Sequence, residues 1–359
     1  MISLLSLEYG RVISIIYENS DIQIIEVVIN SIEKAINYID ETGPVKKGDE
    51  VILNTAAVRL NLGTGGYHFV YFNRSAKLPL CELNRIDGHI IKMKYTLQQQ
   101  RYKTIEENPE YCGFFDDGIK FKNRPVLIES LHSMLFPSIC GIKQKKPDAR
   151  ITVIYTYGGS MNAGFSNNIK ALKELNLIDD VITSGECYGG DYESINVYTS
   201  LIFSFNVLNS DAAVICCGPG VAGTSTYYGF STLDMILPAY ISNLSGCRTI
   251  LIPRISFMDN RKRHYGLSMQ TIAILDSLNF KVTVPVLNSD NNKIIIDVIN
   301  KYNLNNRHNF VFIDDDISYI RAEYEKYMNM MDKCYKDDSY YFNNCAASGY
   351  FAINQAQQV

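Results

Sequence analysis

From residue 125 onward, short apolar runs alternate with longer amphipathic segments, and this rhythm constrains the fold more than any single motif. The runs at 126–129, 151–156, 181–183, 212–217, 249–252 and 281–284 read as strands. The segments at 131–143, 163–177, 194–208, 231–244 and 268–278 read as helices. Strand–helix alternation of this kind folds as a parallel sheet with right-handed crossovers. The strands lack polar alternation, as expected when helices cover both faces of the sheet. The expectation is therefore a mostly parallel, three-layer, Rossmann-like α/β domain.

The first 96 residues have a different rhythm. Apolar, β-branched runs recur at 11–17, 22–29, 50–54 and 67–72. Turn signals separate them: Glu18-Asn19-Ser20-Asp21, Gly43-Pro44 and Gly63-Thr64-Gly65-Gly66. Several short strands with tight turns predict a small β-barrel or sandwich. Residues 97–124 are polar and mixed and read as the crossing into a second domain, 125–359, with a helical tail. In that tail, 310–313 reads as an edge strand. Ile317, Ile320, Tyr324, Met328 and Met331 have helical spacing, and residues 288–293 read as a loop. A chain of 359 residues fits two domains, since one domain commonly takes roughly 100–200.

Bulk composition excludes several classes. The net charge of −4 argues against a dedicated nucleic-acid binder. No apolar run is long enough to span a bilayer, and the N-terminus lacks the basic start and cleavage site of a signal peptide. Nine cysteines without a C-x-x-C pair fit reduced, cytoplasmic thiols better than a disulfide framework. Oligomerisation stays open.

In parallel sheets, ligands bind beyond the carboxyl ends of the strands. Five loops at that predicted edge carry glycine, hydroxyl or ionisable residues, whereas the opposite loops are blander. The richest follows 212–217 and contains Gly218, Gly220, Gly223, Thr224, Ser225 and Thr226. The three glycines form a G-x-G-x-x-G match. A dinucleotide fold wants that motif after its first strand, opening directly into a helix, with an acid about 20 residues on. Here it follows the fourth strand, and the helix is delayed to a Ser231-x-x-Asp234 capping box. The next strand leads into Arg254. No cofactor is named by this pattern. A cradle of backbone N–H groups and hydroxyls for phosphate or carboxylate is the better reading, set against a purely structural turn.

Arg254, Arg261, Arg263 and His264 lie on the neighbouring loop. Arginine forks suit phosphate and carboxylate, although a solvated basic loop accounts for the same residues. His132 at a strand–helix junction is a candidate general base. Asp191 and Glu193 are candidates for acid–base work or cation binding, or else helix caps. The run Asp314-Asp315-Asp316 is explained more simply by capping than by a metal. Cys187 falls on the same predicted edge.

Segments 35–38, 42–51, 62–70, 88–96, 130–135, 189–198, 218–231 and 253–266 resemble a bacterial family, domain of unknown function 3866. The resemblance runs nearly end to end. It implies a cytoplasmic bacterial protein without a standard cofactor motif, and it brings no catalytic assignment. Two departures stand out. Tyr157-Gly158 replaces an Asp-Gly, and Met269-Gln270 replaces two histidines. An acid or a metal site at those positions would be lost here.

Two functional expectations follow. The first is a hydrolase or group transferase acting on a small anionic or phosphorylated substrate. The 218–226 loop and Arg254, Arg263 and His264 would bind it, and His132, Asp191 or Glu193 would move protons. The second is a non-catalytic metabolite-binding protein using the same pocket, with the β-domain contacting a partner. A scaffold with merely structural glycine loops is a weaker third.

Overall fold

The structure, a computed structural model, describes residues 5–63, 65–77, 87–116, 120–314, 318–330 and 333–354. The chain divides into two compact units, Met1–Tyr102 and Lys103–Val359.

In the first unit, β1 (Leu7–Glu18), β2 (Ile22–Val28), β3 (Ile32–Tyr38), β4 (Glu50–Asn54) and β5 (His68–Asn73) close into a barrel. The order around it is β1-β2-β3-β5-β4, antiparallel except where β3 meets β5. Single helical turns α1 (Ile39–Thr42) and α2 (Ala56–Arg59) join its strands, and β6 (Ile90–Lys92) pairs with β7 (Gln100–Tyr102). Val12, Ile25, Val27, Ala35, Val51, Leu53 and Val70 fill its core. Strand β3 escaped the sequence reading because Glu33, Lys34 and Asn37 interrupt its apolar pattern. Asn37 is nonetheless buried, donating to Gln23 Oε1 at 2.9 Å, and Gln23 Oε1 also accepts from Val45 N at 2.8 Å. A satisfied polar pair inside the barrel replaces the apolar residue that periodicity would have flagged.

The second unit holds eight parallel strands: β8 (Pro125–Glu129), β9 (Ile151–Thr156), β10 (Asp180–Ser184), β11 (Tyr192–Ser194), β12 (Ala212–Cys217), β13 (Arg248–Leu251), then, after the small antiparallel pair β14 (Ile255–Ser256) and β15 (Gly266–Leu267), β16 (Thr283–Leu287) and β17 (Asn309–Ile313). Their spatial order is β11-β10-β9-β12-β8-β13-β16-β17. The helices are α3 (Leu135–Lys145), α4 (Asn167–Glu174), α5 (Val197–Ile202), α6 (Ile236–Leu244), α7 (Met269–Ser277), α8 (Asn292–Lys301) and α9 (Ser339–Asn354). Successive strand residues face opposite layers. Leu127, Val153, Val214 and Cys216 pack with α3, α4 and α9. Val126, Ile154, Ile215 and Cys217 pack with α5 through α8. All six predicted strands of this unit are present, as is the edge strand β17.

Three local readings differ. The stretch read as a loop at 288–293 ends in the first turn of α8, which begins at Asn292. The helical spacing at 317–331 yields only a 3₁₀ turn at Ala322–Tyr327, and Ile317 and Met331 lie outside the described residues. The helix of the expected tail lies further on than the 317–331 spacing indicated, as α9. It docks against α3 where Gly141 and Gly349 remove the side chains from the contact.

Candidate functional site

Strand order locates the switch point. The chain leaves β9 toward β10 on one side, and leaves β12 across β8 toward β13 on the other. Between β9 and β12 the two exits diverge, which in open α/β sheets creates a binding crevice. Here backbone fills it. Ser160 N donates to Pro219 O at 2.7 Å, and Tyr155 OH donates to Ser160 O at 2.8 Å. A Cβ on Gly159 would lie 2.1 Å from Gly218 O, and one on Gly218 would lie 2.1 Å from Ser160 O. Gly218 is therefore required for close packing of two loops. It does not open a cradle.

The rest of the loop also differs from the expected nest of N–H groups. Thr224 Oγ1 and Thr226 Oγ1 lie 2.8 Å apart, and Thr224 Oγ1 donates to Gly229 O at 3.0 Å. Thr224 N bonds Gly229 O, Thr226 N bonds Thr224 Oγ1, and Ala222 N bonds Ser231 Oγ. The loop spends these groups on its own turn. Gly220, with φ near +90°, sits in the left-handed region with open space around it, and Gly223 bridges to Phe230. Ser231 donates to Gly158 O at 2.5 Å, so the predicted capping box with Asp234 does not form.

One hydroxyl of the loop faces outward to a partner. Ser225 Oγ accepts from Arg263 Nη1 at 3.1 Å. From there a circuit of contacts runs through the neighbouring loop. Arg263 Nε donates to His264 Nε2 at 3.1 Å, and His264 Nδ1 lies 3.4 Å from Arg254 Nη1. Arg254 Nη1 donates to Gln270 Oε1 at 3.2 Å. Gln270 Nε2 lies 3.9 Å from where a Cβ on Gly223 would stand, two residues from Ser225. The loops beyond β12 and β13 are thus joined by the Arg263–Ser225 bond, and mostly hydrogen-bond donors gather behind it.

Charge balance within the ring is uneven. Asp259 accepts from Arg254 Nη2 at 2.9 Å and from Arg261 Nε and Nη2 at 2.9 and 2.8 Å. Burial works to raise the Asp259 carboxyl, but the bonds and charge of Arg261, joined by the charge of Arg254, hold it well below the usual range. Arg254 is only 4 % exposed, and its Nε has no partner among the described residues. Arg254, Arg261, Lys262 and Arg263 carry four positive charges, faced by Asp259 and, through Arg254, by the buried Asp338. Burial, then the charges of Arg254 and Arg261, push His264 down to about 4, so its imidazole is neutral at pH 7. Arg263 Nε can only donate, so the single ring proton sits on Nδ1 and is donated to Ser268 Oγ, 3.0 Å away. Ser268 also caps α7 by accepting from Gln270 N, which helps fix where Gln270 stands.

The proposed proton-transfer residues lie elsewhere. His132 Nδ1 donates to Cys217 O at 2.9 Å and Nε2 accepts from Ser166 Oγ at 2.6 Å, while burial pushes its imidazole down to about 4. Ser166 is itself buried and caps α4. His132 thus ties three loops together, with neither nitrogen left over. Asp191 and Glu193 are misplaced as a pair on the carboxyl edge. The segment after β10 folds back to start β11, so Asp191 bonds Val181 N at 2.8 Å near the amino end of β10 and pairs with Lys173. Glu193 accepts from Gly189 N at 2.9 Å and lies within β11. Cys187 is fully buried. Of the Asp314-Asp315-Asp316 run only Asp314 is among the described residues, and it accepts from Asn288 Nδ2 at 2.8 Å.

Sequence reasoning named Arg254, Arg263, His264 and Ser225, which the structure brings together. It missed Asp259 and Gln270. The alternation Arg254, Asp259, Arg261 on one loop was a readable sign of an internal ion triad. Gln270 carried no signal of its own, because only the turn into α7 aims it at Arg254.

These features define a class: a small closed barrel followed by a parallel three-layer α/β unit with an arginine-rich, donor-lined carboxyl edge. The chain belongs to the DUF3866 family, described as proteins of unknown function, which it matches over residues 34–349. No curated protein matches it. Among the described residues, no helix is long and apolar enough to cross a membrane.

Proposed function

We propose that this protein binds a small anionic molecule at the carboxyl edge of its parallel sheet, between the 222–226 turn and the 254–270 loop. The observation that carries the reading is the circuit Ser225–Arg263–His264 with Arg254 and Gln270 beside it, rich in donors and in positive charge. Arginine forks, an amide and a hydroxyl grouped in this way suit phosphate- or carboxylate-type oxygens. Binding is better supported than hydrolysis or group transfer. His132 has both nitrogens engaged, Asp191 and Glu193 serve strand geometry, and Asp259 is saturated by arginines. A cytoplasmic setting is part of this reading, supported by the buried Cys140, Cys216, Cys217, Cys247 and Cys345, which form no disulfide.

The test is calorimetric titration with methyl phosphate and methyl sulfate. Arg263 is exposed, so Arg263→Gln should fold normally. Affinity for at least one probe should fall about tenfold or more in that variant, consistent with losing a charge-assisted bond of about 1.5–3 kcal/mol. Equal affinity in wild type and variant would refute the assignment.

A further inference from the structure

Resting on that reading, the hydrogen-bond inventory of the circuit narrows the ligand's chemistry. The strong acceptors within the circuit are already taken, and the nearby Asp338 gives one oxygen to Ser256. Asp259 Oδ1 accepts from Arg261 N at 3.0 Å and Arg261 Nε at 2.9 Å, and Oδ2 accepts from Arg254 Nη2 and Arg261 Nη2. These four bonds match the roughly four acceptor positions of a carboxylate. Gln270 Oε1 is held by Arg254, and His264 Nε2 by Arg263.

Donors remain. Arg254 keeps its unpartnered Nε–H on a side chain only 5 % exposed, where an unmet donor is costly. Gln270 has its carbonyl fixed on Arg254, so its NH₂ is turned toward the Gly223 side. Ser225 accepts from Arg263 and keeps its own O–H to give. Arg263 reaches in from the surface with a charged fork.

We infer that the site takes a fully ionised oxyanion, such as a sulfate ester, a sulfonate or a dianionic phosphate monoester, and discriminates against any group that carries an acidic proton. A P–OH hydrogen needs an acceptor, and the carboxylate, amide and imidazole acceptors of the circuit are all engaged. Set among charged donors, that hydrogen meets like-signed neighbours and only the remaining lone pair of Ser225 to accept it. Asp259 is central to this selectivity. It anchors Arg254 and Arg261, and because both its oxygens are saturated it offers nothing to a protonated ligand.

The experiment titrates wild-type protein with methyl phosphate and methyl sulfate at pH 5 and pH 8. Phosphate monoesters lose their second proton near pH 6, so the dianion fraction rises about tenfold over that interval. Methyl sulfate is fully ionised throughout and controls for any change in the protein, including protonation of His264. The expected result is methyl phosphate affinity about tenfold higher at pH 8, with methyl sulfate affinity changing less than threefold. Methyl phosphate binding equally well at both pH values, or better at pH 5, would overturn this inference while leaving an anion site in place. Failure of both probes to bind at either pH would overturn the anion site itself.

Discussion

Glu129 ends the central strand β8 with its side chain wholly buried, and replacing it with glutamine should stabilise the α/β unit in a pH-dependent way. Ser138 Oγ donates to its Oε1 at 2.5 Å, and Oε2 has no partner among the described residues. Burial pushes the carboxyl up to about 8, against the partial opposition of Ser138. A carboxyl raised in this way contributes its full stability below its unfolded value of about 4.5 and loses it as pH rises toward 8. Every tenfold displacement of an ionisation equilibrium is worth about 1.36 kcal/mol, so the penalty is about 3 kcal/mol at pH 7 and about 5 kcal/mol above pH 9. Glutamine keeps the acceptor for Ser138 and cannot ionise. Urea unfolding followed by circular dichroism, on wild type and Glu129→Gln in parallel, reads the difference directly. The gap should widen by about 3 kcal/mol between pH 5 and pH 8, always in favour of the variant at the upper end. A gap that stays constant with pH would refute the claim that Glu129 is held neutral by burial.

Three further outcomes follow from the same packing and charge arguments. Asp259→Asn should cost about 3–5 kcal/mol, because it leaves the buried Arg254 without its counter-charge, and thermal melting should show it as a clear fall in Tm. His132 and His264 are both held near 4, so their contribution is complete above about 6.5 and is lost as pH falls toward 4. Each is worth about 3 kcal/mol across that window, and His132→Gln should make the acid-side slope of an unfolding titration measurably shallower, the lowered His264 and His308 supplying what remains. Gly141→Ala should destabilise by about 1–3 kcal/mol or more, since the new methyl would stand 1.7 Å from Ala346 O on α9, and a melt indistinguishable from wild type would contradict that contact.

The strands of the α/β unit and their parallel, layered arrangement were legible because continuous apolar runs bounded by turns have few other uses. Their spatial order was not, since it depends on which neighbours each crossover reaches. The barrel was partly legible, since β3 hides behind Glu33, Lys34 and Asn37, and the burial of Asn37 depends on its pairing with Gln23, distant in the chain. The tail helix was expected but its position at α9 was not read, because residues such as Tyr340, Asn344 and Ser348 give it little polar contrast, and its docking depends on Gly141 and Gly349. At the site, Arg254, Arg263, His264 and Ser225 could be named from residue type, and the structure brings them near one another. Which hydroxyls and backbone groups were available did not follow from type, because Thr224, Thr226 and Gly218 are consumed by the loop's own geometry. The same limit explains Asp191, whose position depends on the chain folding back after β10.

The most direct test of the anion site is an anomalous-diffraction experiment on crystals soaked in selenate. One peak is expected, enclosed by Arg263, Ser225, Gln270 and Arg254, within hydrogen-bond distance of at least two of them, and absent from crystals of Arg263→Gln. A peak at the backbone-filled crevice beside Gly218, or none at the arginine circuit while selenate binds elsewhere, would contradict the assignment.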